Sequence, residues 1–243
     1  MKTGTRLLAL PILAALLGLS SLARADIPDP LQWGLSPGDT YHIIFHTSTS
    51  TSESNDPDIE YYNDFVTDHA VNAGLDSYFD ETVDWFCVGS TFDGTTGVHA
   101  RDNAFISAPV YNMRGDLVAT GFDDFWDGTH SRGVMYTEFG VGQFYRVHTG
   151  TLTTGYSSHS ASHPKSMLGG PKYDAQSHQL YGGSYDSDAK WTESEYLYHI
   201  NQGSFYALSS PITVLVPEPS SLVLVFVGAV ATLAWAGWRR RGR

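Results

Sequence analysis

The chain has 243 residues, with 14 basic and 26 acidic side chains, a net charge of −12, 42% hydrophobic residues and a single cysteine. An acidic chain offers no basic face to a phosphate backbone, which excludes nucleic acid as a partner, and one cysteine excludes an intramolecular disulfide. The length is enough for one domain with a sizeable core.

In chain order, the first segment combines Lys2 and Arg6 with an apolar stretch at 7–19 and small residues at Ala23 and Ala25. That order is expected of a secretory signal peptide, residues 1–25, cut after Ala25 by signal peptidase following export by the Sec route. The stretch has 13 residues and contains Pro11, whereas a membrane span needs roughly 18 or more apolar residues.

The β-branched and aromatic segment 40–47 predicts a strand, and the Ser/Thr-rich segment 48–55 a surface loop. A helix is expected from Asp56 as N-cap, with Pro57 at the first helical position and Asp58 and Glu60 in the first turn. Ile59, Tyr62, Phe65, Val66, Ala70 and Ala73 recur at three and four, so they share one face, and Gly74 is placed to end the helix. A second strand is expected at 83–88. It contains Cys87 in an apolar run, which favours a buried, inert thiol over a nucleophile.

Residues 108–119 predict a hairpin turning near Gly115. Asp123, Asp124 and Asp127 follow; three carboxylates near a turn could hold Ca²⁺, although the spacing is not that of an EF-hand and an N-cap and turn reading explains them better. Short strands are expected at 144–148 and 205–214. Between them His159 and His163 stand four apart, as zinc ligands on a helix would, but the segment reads as loop and has no metalloprotease Glu between them. No Gly-x-Ser-x-Gly elbow supports a Ser/His/Asp triad, and Leu168-Gly169-Gly170-Pro171 does not open a helix after a strand as a phosphate loop would. Tyr136, Tyr145, Tyr156, Tyr173, Tyr181, Tyr185, Trp191, Tyr196 and Tyr198 crowd this half; most should pack, and one or two exposed rings could make a glycan platform.

The end of the chain has three parts. Pro217-Glu218-Pro219 cannot continue a strand or helix and forms an extended hinge that an enzyme could grip. The uncharged apolar run 222–238 has 17 residues, roughly 25 Å of helix, enough to span a bilayer at the short limit. Arg239, Arg240, Arg241 and Arg243 then fix its cytoplasmic side, with Trp235 and Trp238 at the interface. In this order the three parts resemble the PEP-CTERM signal. The resemblance implies processing by an exosortase-type membrane enzyme, an inner-membrane intermediate, and a destination at the surface or in the matrix of a Gram-negative bacterium that makes exopolysaccharide. The expected layout is therefore a signal peptide at 1–25, an ectodomain at 26–216 with its core at about 40–214, and a sorting signal at 217–243. With both ends set aside, seven basic residues face 25 acidic ones in the ectodomain, a net charge near −18.

The ectodomain in turn carries the helix ending Asp68-His69-Ala70-Val71-Asn72-Ala73-Gly74, the strand Trp85-Phe86-Cys87-Val88, Ala108-Pro109-Val110-Tyr111-Asn112 with Gly115, and Asp124-Phe125-Trp126-Asp127-Gly128. With His148-Thr149-Gly150-Thr151, the Gly-Gly pairs at 169–170 and 182–183, and Tyr206-Ala207-Leu208-Ser209, these motifs resemble the endostatin-like fold, a relative of C-type lectins. The resemblance implies a single α+β, C-type-lectin-like domain with long loops, besides the signal helix and the C-terminal transmembrane helix. The chain departs from that family in lacking its two disulfides, in carrying His148 where a Trp is expected, and in having no match to its zinc ligands.

The function expected from this organisation is that of a non-enzymatic surface protein binding polysaccharide or matrix. It needs no cofactor, with Ca²⁺ at Asp123, Asp124 and Asp127 as an option. The alternatives are a secreted metal-dependent hydrolase and a plain type I membrane-anchored protein.

Overall fold

The computed structural model describes residues 29–50, 56–78, 81–92, 97–158, 167–169, 178–198 and 203–215. The signal-peptide stretch with Ala23 and Ala25, the histidines His159 and His163, the motif Pro217-Glu218-Pro219, the run 222–238 and the terminal arginines lie outside them. Among the described residues no helix is long and apolar enough to cross a membrane.

A 3-10 turn at Pro30–Trp33 leads into β1 (Thr40–His46), α1 (Ile59–Asn72), β2 (Ser77–Tyr78), β3 (Glu81–Thr82), β4 (Trp85–Cys87), β5 (Thr91–Phe92) and β6 (Gly97–Val98). Then follow α2 (Ala100–Asn103), β7 (Val110–Asn112), β8 (Leu117–Ala119), α3 (Phe122–Phe125) and β9 (Arg146–His148). The last elements are β10 (His178–Gly183), a 3-10 turn at Ala189–Trp191, β11 (Glu195–Tyr198), β12 (Tyr206–Ser209) and β13 (Ile212–Thr213). The class is α+β, mostly strands with few helices, as expected.

The main sheet runs β4-β12-β1-β7-β8, with β13 also paired to β1. The first strand is central because it can be covered on both faces: every residue of β1 after Thr40 is buried. Its alternate side chains enter two cores. Tyr41, Ile43 and Phe45 meet the α1 face of Ile59, Tyr62, Val66, Ala70 and Ala73, while Ile44 joins Val110, Val118, Phe125, Val147, Trp191 and Leu208 on the other side. Alone, a helix of this length is marginal in water; burial of that face, at roughly 1.5–3 kcal/mol per large apolar side chain, holds it.

Two expectations for α1 resolve differently. The cap is Asp58, whose carboxylate accepts from Glu60 N at 3.1 Å, rather than Asp56. Asp56 instead accepts from Asp58 N at 2.9 Å, and its carbonyl receives the Tyr62 hydroxyl at 2.9 Å. Pro57 is held outside the helix against the turn at Gly169, where a Cβ would come within 2.5 Å of the Pro57 Cα. The C-terminus follows the expectation: Gly74 takes a φ of 73°, Gly74 N donates to Val71 O at 2.9 Å and Leu75 N to Ala70 O at 2.8 Å, a Schellman closure.

The hairpin β7–β8 turns at Gly115 with a φ of 80°, and Asn112 Oδ1 accepts from Arg114 N at 2.9 Å and Asp116 N at 3.1 Å. The Trp33 indole covers that turn and stacks on Tyr111 at 5.3 Å, so packing begins before residue 40. The strand expected at 83–88 is shorter, Trp85–Cys87, and pairs with β12 at the sheet edge. The segment 205–214 forms two strands, β12 and β13, both antiparallel to β1. A second sheet, β11-β10-β9, was not expected beyond β9.

Candidate functional site

Asp123, Asp124 and Asp127 do not converge. Asp124 accepts from Thr120 N at 2.6 Å and Thr120 Oγ1 at 2.8 Å; Asp127 does the same for Thr129 N at 2.7 Å and Thr129 Oγ1 at 2.9 Å. These bonds from Thr120, with a smaller pull from His130, hold the Asp124 carboxyl below its usual range against slight burial. Asp124 and Asp127 thus each close a turn of their own, and among the described residues no group of three His, Cys, Asp or Glu side chains is arranged to hold a metal ion. Cys87 is buried in the first core, and burial pushes its thiol well above the usual range, which makes it inert.

The buried histidines divide by what they touch. His42 takes Ser107 N on Nε2 at 3.1 Å and offers Nδ1–H to Ser209 O at 2.8 Å, a satisfied core histidine. His148 meets Gln179 Oε1 with Nδ1 at 2.7 Å and the Tyr181 hydroxyl with Nε2 at 3.3 Å, wholly inside the fold.

His69, by contrast, is partly exposed. It sits in the last turn of α1, and its Nδ1 lies 2.8 Å from Glu138 Oε1 while its Nε2 lies 2.9 Å from Thr49 Oγ1. The side chains of His69 and Glu138 are 14% and 1% exposed; Thr49 is exposed. Glu138 also accepts from Ser48 N at 2.8 Å and Ser48 Oγ at 2.5 Å. Burial pushes the Glu138 carboxyl upward, but the hydrogen bonds from His69 and Ser48 prevail and hold it below the usual carboxylate range.

An ionised carboxylate only accepts, so the neutral imidazole carries its proton on Nδ1 and leaves Nε2 as the acceptor for the Thr49 hydroxyl. The backbone brings the three together: β1 delivers Thr49 just beyond its end, and a parallel bridge from His46 to Thr137 sets Glu138 beside it. Phe65 lies against the imidazole at 4.9 Å. No local motif could have announced this group, because its members are 20 and 69 residues apart.

A second feature lies on the surface. The Arg101 guanidinium stands 4.7 Å from the ring centroids of both Phe122 and Tyr156. Phe105 extends the row beyond Phe122 at 6.1 Å, and His99 closes it edge-on to Tyr156 at 5.0 Å. Phe105 is 65% exposed and Tyr156 47%. Gly155 permits the juxtaposition, since a Cβ there would come within 2.7 Å of Arg101 Cβ and 2.8 Å of the Trp126 ring.

Of the aromatics singled out by sequence, Tyr181 and Trp191 are core, Tyr136 and Tyr145 are half-buried, and Tyr156 and Tyr185 are exposed. Tyr196 and Tyr198 stand on β11, and Tyr173 lies outside the described residues. Phe105 and Phe122, which complete the row, belonged to no aromatic cluster legible in the sequence.

No curated protein and no solved structure matches this chain, so the endostatin-like likeness rests on short motifs alone. The tail is different: residues 215–241 match the PEP-CTERM protein-sorting motif. The chain therefore carries the sorting signal of an exported, exosortase-targeted protein bound for the cell surface or the extracellular space.

Proposed function

We propose that the ectodomain is a binding module for polysaccharide or matrix, delivered to the envelope by its sorting tail. The observation that carries this reading is the surface row Phe105, Phe122, Arg101, Tyr156 and His99, exposed at Phe105 and Tyr156 and half-buried between them. Ring faces stack on the C–H faces of sugars, and a guanidinium held between two rings gives an acidic sugar a bidentate donor without a further ordering cost. In a domain near −18 overall, that cation selects one spot for an anionic glycan. An endostatin-like, C-type-lectin-like scaffold accords with long loops that display such a row. Binding of this kind needs no cofactor, and Ca²⁺ enters only as a variable to be tested.

The test uses the full-length chain in detergent micelles, immobilised and exposed to glycan arrays and to the producing cell's own exopolysaccharide, with and without Ca²⁺. Retention of an acidic glycan is expected. Phe105→Ala and Tyr156→Ala should each weaken it by about 3- to 10-fold, the equivalent of about 1 kcal/mol. Absence of any retained glycan, or equal retention by both variants, overturns the reading.

A further inference from the structure

We propose that Thr49, His69 and Glu138 form a hydroxyl–imidazole–carboxylate relay that makes Thr49 an acyl acceptor, giving the domain a carboxylic-ester hydrolase activity. This goes beyond binding at the aromatic row and does not depend on it. It also replaces the expectation that the chain performs no chemistry.

The geometry has the order such chemistry requires. The nucleophile's oxygen lies 2.9 Å from the base, Nε2, and the base's other nitrogen lies 2.8 Å from a carboxylate. Exposure rises along the same line, from a carboxylate buried at 1% through an imidazole at 14% to a hydroxyl open to solvent. Charge is thus held inside, where it orients the ring, and the reacting atom is outside, where a substrate can meet it. Glu138 is fixed by more than the imidazole, because Ser48 grips it through both N and Oγ. A second oriented shell of that kind is what a structural staple does not need and a base requires. The Thr49 N–H has no acceptor among the described residues, so it is free to donate to the oxyanion that develops on the carbonyl oxygen of an ester attacked by Thr49 Oγ1.

The reaction balances with water alone. As Oγ1 attacks the ester carbonyl carbon, the Thr49 hydroxyl proton passes to His69 Nε2. Collapse of the tetrahedral adduct breaks the bond to the alkoxide, which takes that proton and leaves as the alcohol. Water then attacks the acyl-Thr49 carbonyl and gives its proton to Nε2. The Oγ1–acyl bond breaks, Thr49 recovers the proton, and the carboxylic acid departs. Glu138 stays ionised throughout and acts as a positioning residue. The substrate class is an O-acyl group on an alcohol, the linkage that decorates many extracellular polysaccharides.

The experiment uses the full-length chain in detergent micelles with p-nitrophenyl acetate and a fluorophosphonate label. The protein should hydrolyse the ester and take up one label, located on Thr49 by peptide mass spectrometry. Thr49→Val and His69→Ala should lower kcat/KM by about 100-fold or more, and Thr49→Ser should keep both activity and labelling. Glu138→Gln should lower kcat while leaving KM unchanged, a split that loss of a mere structural contact does not produce. p-Nitrophenyl acetate carries no sugar, so failure here is separable from failure of glycan binding. Should Thr49→Val not fold, Thr49→Ser and the position of the label decide. No turnover, a label on any other residue, or hydrolysis by folded Thr49→Val at the wild-type rate overturns the proposal.

Discussion

Acid should weaken this fold through His130. The imidazole is packed at 4.2 Å from the Trp191 ring and 4.9 Å from Phe125. Its Nε2–H donates to Phe125 O at 3.2 Å, and Nδ1 is buried without a partner among the described residues. Burial drives the pKa from 6.5 down to about 4, against the opposing pull of the Phe125 carbonyl and of Asp124 and Asp127. In the unfolded chain the same ring titrates at 6.5, so below that pH the unfolded state binds a proton that the folded state refuses. The stability is therefore fully present above pH 6.5 and is lost as the pH falls toward about 4, below which both states are protonated.

At about 1.4 kcal/mol per pH unit, the loss across the window from 6.5 to about 4 is on the order of 3 kcal/mol, a large part of the roughly 5–15 kcal/mol that holds a domain folded. Urea unfolding followed by tryptophan fluorescence, which includes Trp191 beside the ring, measures it across a pH series. His130→Phe keeps the aromatic packing and removes the titration, so its stability should depend on pH more weakly by that amount. Some slope should remain, because burial also lowers the pKa values of His42 and His46. Parallel pH curves for wild type and His130→Phe would refute the reasoning.

Asn63 accepts from Cys87 N at 2.9 Å and exchanges bonds with Asn103 at 2.9 and 3.1 Å. Asn63→Ala strands a buried N–H at the β4 edge and should cost about 1–3 kcal/mol, read as a lower urea midpoint at unchanged slope. In the tail, replacing Pro217, Glu218 and Pro219 with Ala should leave the C-terminus unprocessed. Mass spectrometry of the protein from cells with and without exosortase reads this directly: the wild type should shorten only when the enzyme is present, and the triple variant in neither case. A mature C-terminus at Arg243 in both strains would instead mark a permanent type I anchor.

The parts of the fold legible in the sequence are those whose signal is local. The α1 face follows from apolar residues at three and four, and its end from a glycine in the one conformation that closes a Schellman turn. The start misled because Asp56 and Asp58 are equally good caps, and contact with Gly169, over 100 residues away, decides between them. No period-2 alternation marks β10, and it ends on Gly182 and Gly183, yet a Cβ at Gly182 would lie 1.7 Å from Trp191 O. The glycine is there because another backbone passes against it.

The relay was illegible for a related reason. Thr49 lies in a Ser/Thr-rich segment with many other hydroxyls, and no local motif marks His69 or Glu138. Only the pairing of β1 with the segment at Thr137 makes them neighbours. The tail needed no tertiary structure to be recognised, since its three parts act in linear order.

The closing strand also bears on mechanics. Among the described residues, Val214 is the last with backbone bonds into the fold, with Gly38 N donating to its carbonyl at 2.8 Å and its own N–H bonded to Asp39 O at 2.9 Å. Whatever holds the tail, tension from a tethered ligand or from flow enters the domain at that clamp. It is then shared through β13 and β12 with β1, the central strand of the main sheet. Thr49 leaves the far end of that same strand, so a pull on the tail loads the element that carries the relay's hydroxyl.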